Sequence, residues 1–198
     1  MTITSFYIFK EKTMSEKYKV IDSSMPTFIT CSFTQWADIL TRPNYTSILD
    51  ESLQFCINEK GLRIHYYVYM TNHIHLIATS AKNKLQEIVR DFKRYTNKML
   101  IQAIEDIGES RREWLLAKFK YEANRTKRAN QYKVWKDGFH PVILDTAKKL
   151  EQRIHYIHAN PVDEGFVSRP EYWKNSSYNF YAEELNYDGG LELTNLFE

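Results

Sequence analysis

Cysteine is scarce. Cys31 and Cys56 are the only two in 198 residues, and their isolation sets aside a cysteine-ligated metal module or a redox motif. They read as reduced, partly buried thiols of a cytoplasmic protein. Charge excess is lacking as well. Lys and Arg total 27 against 25 Asp and Glu, a net of +2, with a pI near 8.4; that balance alone identifies no partner. No apolar run reaches membrane length. The first residues lack a charged n-region, and Lys10, Glu11 and Lys12 interrupt any apolar stretch, so neither a membrane span nor a signal peptide is expected. Internal repeats, low-complexity stretches and a second domain are not evident.

What remains is a globular composition, 43% hydrophobic and 15% aromatic, enough for one domain with its own core. The 14 tyrosines suit base stacking and equally suit half-buried strands. Residues 1–24 read as a flexible, polar lead-in, with Met14-Ser15-Glu16-Lys17 resembling a start of its own. A single domain is expected over 25–185, followed by a tail over 186–198. Alternation predicts a strand from Pro26 to Thr34. Ile48, Leu49, Ser52, Leu53 and Cys56 take helical spacing from Tyr45 to Asn58, and Gly61 suits the helix end. Leu62–Met70 and Asn72–Thr79 predict two strands joined at Thr71-Asn72, pairing Met70 with His73 and Val68 with His75. In that register His65 opposes Ala78 on the other face from the two later histidines. Asn83 to about Ile107 predicts the longest helix, with Leu85, Ile88, Val89, Phe92, Thr96 and Met99 as its buried stripe.

Two basic regions follow. Lys84, Arg90, Lys93, Arg94, Asn97 and Lys98 lie mostly off the stripe, either a solvated face or a ridge for a phosphate backbone. Residues 111–136 form a basic insertion, with Arg125, Lys127 and Arg128 among its cations and Trp114, Phe119, Tyr121, Tyr132 and Trp135 interleaved. That mixture suits single-stranded nucleic acid; the alternative is a solvated, flexible segment. Phe139–Leu144 predicts a fourth strand, Asp145-Thr146 a helix cap, and Ala147–His158 a helix closed by Asn160-Pro161. Leu191–Leu196 is strand-like.

Candidate chemistry starts at His73-Ile74-His75. On a strand both imidazoles share one face, about 7 Å apart along the chain, and two such rings can converge on one metal ion. Isolated pairs of this kind are more often surface or satisfied core histidines. In the later helix, Ala147, Leu150, Ile154 and Ile157 form the apolar stripe. Tyr156 falls outside it, one turn before Asn160; a locally bonded surface tyrosine is the simpler alternative. Two histidines with a presented tyrosine suggest phosphoryl transfer through a covalent phosphotyrosine. A divalent Mg or Mn ion held by His73, His75 and the Asn160 carbonyl would polarise the phosphate. His65 is not expected as a third ligand. Tyr172, Tyr178 and Tyr181 read as packing in the tail.

Four segments in order carry a family resemblance. Met70-Thr71-Asn72-His73-Ile74-His75-Leu76-Ile77 closely resembles the M-P-N-H-hydrophobic-H-L signature of the HUH single-tyrosine transposases. Asp91-Phe92-Lys93-Arg94-Tyr95-Thr96, Tyr156-Ile157-His158-Ala159-Asn160-Pro161-Val162 with Gly165, and Arg169-Pro170-Glu171-Tyr172-Trp173 with Ser176-Ser177 resemble the REP-associated branch. Thr71 stands where the family usually has proline. The resemblance implies a ferredoxin-like α+β fold, an antiparallel sheet with helices on one face and the histidines on a central strand. It implies His73 and His75 as metal ligands, Tyr156 as nucleophile, Asn160 completing the site, and attachment to a DNA 5′ phosphate. The expected partner is single-stranded, hairpin-bearing DNA, with DNA contacts from Arg90, Lys93, Arg94, Lys98, Arg125, Lys127 and Arg128, in a cytoplasmic, nucleoid-associated enzyme. A homodimer is left open. The alternatives are a replication initiator or relaxase, a non-catalytic DNA-binding module and a hydrolytic zinc enzyme.

Overall fold

Three predicted strands and the two longer predicted helices alternate as a ferredoxin-like chain requires. The computed structural model describes residues 20, 22–82, 84–127, 131–182 and 190–197. Strand β1 (Thr27–Ser32) leads through a short 3-10 turn, Thr34–Trp36, to helix α1 (Pro43–Lys60). Strands β2 (Leu62–Tyr69) and β3 (His73–Ser80) precede α2 (Leu85–Asp106), α3 (Arg112–Thr126), β4 (Val142–Ile143), α4 (Ala147–Asp163) and the single turn α5 (Tyr178–Tyr181). The four-stranded sheet has the order β2-β3-β1-β4, every neighbouring pair antiparallel. This is the split β-α-β-β-α-β arrangement, and it makes β3 a central strand.

Local chemistry accounts for the helices. Proline at the start of α1 needs no N–H and presets φ. Tyr45, Leu49, Leu53 and Cys56 then bury one face, and Gly61 ends the helix at φ 72°. A Cβ there would meet the Lys82 side chain at 2.8 Å. The N-terminus of α2 has no cap of its own; the Ser23 hydroxyl accepts the Leu85 N–H at 3.0 Å. Its buried stripe keeps Leu85, Ile88, Val89, Phe92 and Thr96 and then runs on through Leu100, Ile101 and Ile104, with Met99 half-buried.

The sheet separates two apolar clusters. Ile29, Cys31, Ile74, Leu76 and Ala78 pack with α1, α2 and α3. Phe28, Tyr66, Val68, Met70 and Ile77 pack on the opposite face with Leu144 and Ile157. Helices thus cover one face as expected, and α4 crosses the other.

Several expectations need correction. Val68 does oppose His75, but a bulge between Ile64 and Tyr66 puts Ile64, not His65, opposite Ala78. His65 instead bonds Thr79 Oγ1 at 3.0 Å. Thr79 alternates onto the same face as His73 and His75, so His65 is kept from the pair by strand length, not by facing. The fourth strand shrinks to two residues. Helix α4 continues through Pro161: the ring keeps a helical φ and forfeits one N–H, at about 3 kcal/mol in a helix interior, while Ile157, Asn160 and Pro161 are all buried. The 111–136 region is no loose insertion, because α3 seats Leu115, Phe119 and Ala123 in the core and Trp135 follows them. Arg128 lies outside the described residues. Of the expected lead-in, residues 1–19 and 21 lie outside the described residues; at its end Val20 is buried and the Ser80 N–H donates to the Ser23 carbonyl. The expected Leu191–Leu196 strand is irregular chain. The Thr194 N–H donates to Ile64, as Tyr69 donates to Asn175 and Ser177 to Tyr67, along the outer side of β2.

Candidate active site

Strand alternation sends His73 and His75 to the face covered by α4. Their rings meet edge to face, with centroids 4.6 Å apart. Each ring is held at Nδ1. The Asn72 side-chain oxygen accepts from His73 Nδ1 at 2.6 Å, and Thr30 Oγ1 lies 2.9 Å from His75 Nδ1. Thr30 is the cross-strand partner of His75, so sheet register itself supplies that contact. Phe28 stacks on His75 at 5.1 Å. Burial pushes His73 down to about 4, helped by Lys136. It pushes His75 down to about 3, helped by His73 and Arg153. Both rings are therefore neutral at pH 7 and keep a lone pair to offer.

Tyr156 reaches this pair from α4. Its ring stands edge-on to His75 at 5.2 Å and to Phe28 at 6.0 Å, while the residue stays 37% exposed. The Arg153 guanidinium lies 4.8 Å from the Phe28 ring centre and 5.7 Å from that of Tyr156. Asn160 is one turn further along α4 and buried. The rival tyrosines are occupied elsewhere. Tyr181 donates to the His65 carbonyl at 2.7 Å and stacks on Tyr66, Tyr178 meets His158, and Tyr172 bonds Arg169.

Two buried polar atoms in this region have no hydrogen-bond partner: His75 Nε2 and Asn160 Oδ1. Leaving such atoms unpaired is costly. A neutral imidazole nitrogen and an amide oxygen are both donors that a divalent cation can use, although imidazole is not magnesium's preferred ligand. Among the described residues, no group of three or more His, Cys, Asp or Glu could hold a metal.

The expected DNA-contacting side chains separate. Arg90 and Arg94 are exposed and both approach Asp91, which also binds Lys60 at 2.7 Å. Lys98 and Lys127 are exposed. Arg125 is paired with Glu122 at 2.6 Å. Lys93 turns inward, its ammonium on the carbonyls of Lys136 and Gly138. None of these cations is among the residues closing on the histidine pair. Sequence reasoning missed Thr30, Phe28, Arg153 and Trp36, whose ring stands 6.4 Å from His73. Only the β1–β3 register, unknown from sequence, would have nominated the first two.

Residues 29–118 match the family described as IS200-like transposase. The matched stretch holds both histidines; Tyr156 and Asn160 lie beyond it. A solved REP-associated tyrosine transposase bound to a REP hairpin aligns with a TM-score of 0.58 at 14% identity, covering 90% of this chain and 92% of that one. That likeness is one of fold. A bacterial tRNA(His) guanylyltransferase-like protein in complex with ATP aligns at 0.40 and 9% identity, over 88% and 75% of the two chains. No curated protein sequence matches.

Proposed function

We propose that this chain, whose residues 29–118 match the IS200-like transposase family, cuts and rejoins single-stranded DNA through a covalent tyrosine–DNA intermediate. The observation that carries this reading is the Tyr156 ring against His75, beside a histidine pair whose Nδ1 atoms are already engaged. The Tyr156 oxygen attacks a backbone phosphorus and gives up its proton to solvent. The bond from phosphorus to the 3′ oxygen breaks, and that oxygen leaves as a 3′ hydroxyl after taking a proton. The 5′ phosphate stays on the tyrosine, a polarity that follows the family resemblance. Phosphotyrosyl linkage preserves the phosphodiester's free energy, so a later 3′ hydroxyl reverses the step and joins strands without ATP.

Arg153 sets a positive charge beside the Tyr156 ring, which draws in the phosphate. His73, His75 and Asn160 would hold a Mg or Mn ion. When bound, that ion supplies charge neutralisation and orientation at the phosphate. Phe28 and Thr30 hold the His75 ring still. Hairpin-bearing DNA is the substrate we favour, because the similar solved transposase is bound to a REP hairpin.

The test is incubation with a set of single-stranded DNAs, each carrying a hairpin with unpaired flanks, in the presence of Mn²⁺, followed by a denaturing gel and peptide mapping. A DNA adduct on Tyr156 is expected. Hairpin binding with no adduct would make the protein a DNA-binding module instead.

A further inference from the structure

Trp36 is left in water where a fold would normally bury it. It is 59% exposed, although Trp135, close in space, lies in the core. Its backbone is strained as well. Gln35 and Trp36 both take positive φ, 55° and 49°, a region that residues other than glycine, asparagine and aspartate seldom enter.

The turn is restrained on several sides. The Thr34 hydroxyl donates to the Lys133 carbonyl and its N–H to the Val134 carbonyl, each at 2.7 Å. The Gln35 amide donates to Glu122 at 3.1 Å, and Lys118 donates to the Gln35 carbonyl. These contacts hold an unusual backbone whose visible product is an outward indole. That indole carries the Lys136 ammonium 3.3 Å from its ring centre and stands edge-on to His73.

The same pairing repeats on α3, where Lys118 lies 4.3 Å over Trp114. Trp114, Lys118 and Tyr121 share one helix face by their spacing. Both of these aromatics are exposed, at 48% and 60%. Two nearby acids are already paired, Glu122 with Arg125 and Asp137 with Lys133.

We infer that Trp36 is a stacking platform for an unpaired DNA base next to the cleaved phosphate, with Lys136 facing that strand's backbone and the Trp114–Lys118 pair extending the track. The substrate class rests on the function proposed above. Aromatic faces alternating with ammonium groups match the base–phosphate repeat of a single strand. A duplex keeps its base faces stacked inside and cannot use them.

The probe is oligothymidylate of about a dozen nucleotides, a length within single-strand site sizes, set against an abasic strand of equal length. Fluorescence anisotropy without cleavage reads both affinities. Wild type should prefer the thymidylate strand. W36A should lose about fivefold or more of that preference, whereas W36F keeps most of it. Thermal melting checks the fold. Should W36A melt early, W36F against W36L decides, because leucine retains apolar bulk without a stacking face. A preference preserved in folded W36A, or equal in W36F and W36L, overturns the assignment. A wild type that discriminates bases yet forms no tyrosine adduct would remove the strand-transfer reading and leave Trp36 its role; an adduct without base preference would do the reverse.

Discussion

At the scale of single residues, the site depends on which atom of each ring is already committed. Thr30 holds His75 at Nδ1, so Thr30→Val keeps the shape and frees the ring. Cleavage should fall by about 10- to 100-fold, the loss usual when a residue orienting a ligating histidine is removed, and the melting temperature should drop by only a few degrees, since one nitrogen of a buried ring loses its partner; an unchanged rate would mean the ring needs no such support. His73→Ala or His75→Ala should abolish cleavage outright, read by nicking of labelled hairpin DNA across a Mn²⁺ titration. Tyr156→Phe removes one oxygen and almost no volume. Its ring contacts with His75 and Phe28 survive, so DNA binding should persist while the adduct disappears. The histidine pair and the tyrosine are legible in the sequence because each breaks a local apolar pattern. Thr30 and Phe28 are not, since they meet His75 only through a pairing between residues 45 positions apart or more.

At the scale of elements, periodicity serves where one face is buried and the other wet. Helices α1 and α2 and the β2–β3 hairpin lie close to their predicted bounds for that reason. It fails where tertiary packing overrides a local rule. Proline ordinarily ends a helix, yet burial of Ile157, Asn160 and Pro161 carries α4 through it. The β2 bulge defeats the expected facing of His65, because one extra residue reverses facing beyond it. In α3 the basic residues mask a core stripe of Leu115, Phe119 and Ala123.

The turn between α2 and α3 offers an acid-stability test. Glu109 is buried there, accepting from Arg111 and from Tyr45 of α1, with Arg42 3.5 Å away. Burial works to raise this carboxyl, but the Arg111 hydrogen bonds and charge, with the Tyr45 hydroxyl, outweigh it and hold the group at about 2. A folded value below the unfolded one means stability that is complete above about 4.5 and is lost as pH falls toward 2. The upper bound is about 3 kcal/mol. Glu109→Gln should flatten urea-measured stability over that window and lower it at neutral pH. A mutant with the wild-type acid slope would assign the slope to other carboxylates.

For the whole molecule, the sheet divides the work. One face is closed by α1, α2 and α3, and the other gathers the histidines, Tyr156 and Arg153 under α4. Cations on α2 stand apart from that chemistry, so they should affect affinity and not the chemical step. Reversing Arg90, Arg94 and Lys98 together should weaken hairpin binding and reduce the salt slope by up to about three, near one for each phosphate no longer neutralised. Adduct formation at saturating DNA should hold. Lys93 is left out of that set because its reversal would break the 136–138 loop. The segment running beside β2 has a further consequence. β2 is a border strand, and an uncovered border is a template on which a second chain can add its own strand. Asn175, Ser177 and Thr194 occupy those backbone groups, so the tail works as a lid against growth of the sheet. A chain ending before residue 175 should keep its histidine pair and still cling to itself, eluting as oligomers or precipitating where the full chain does not.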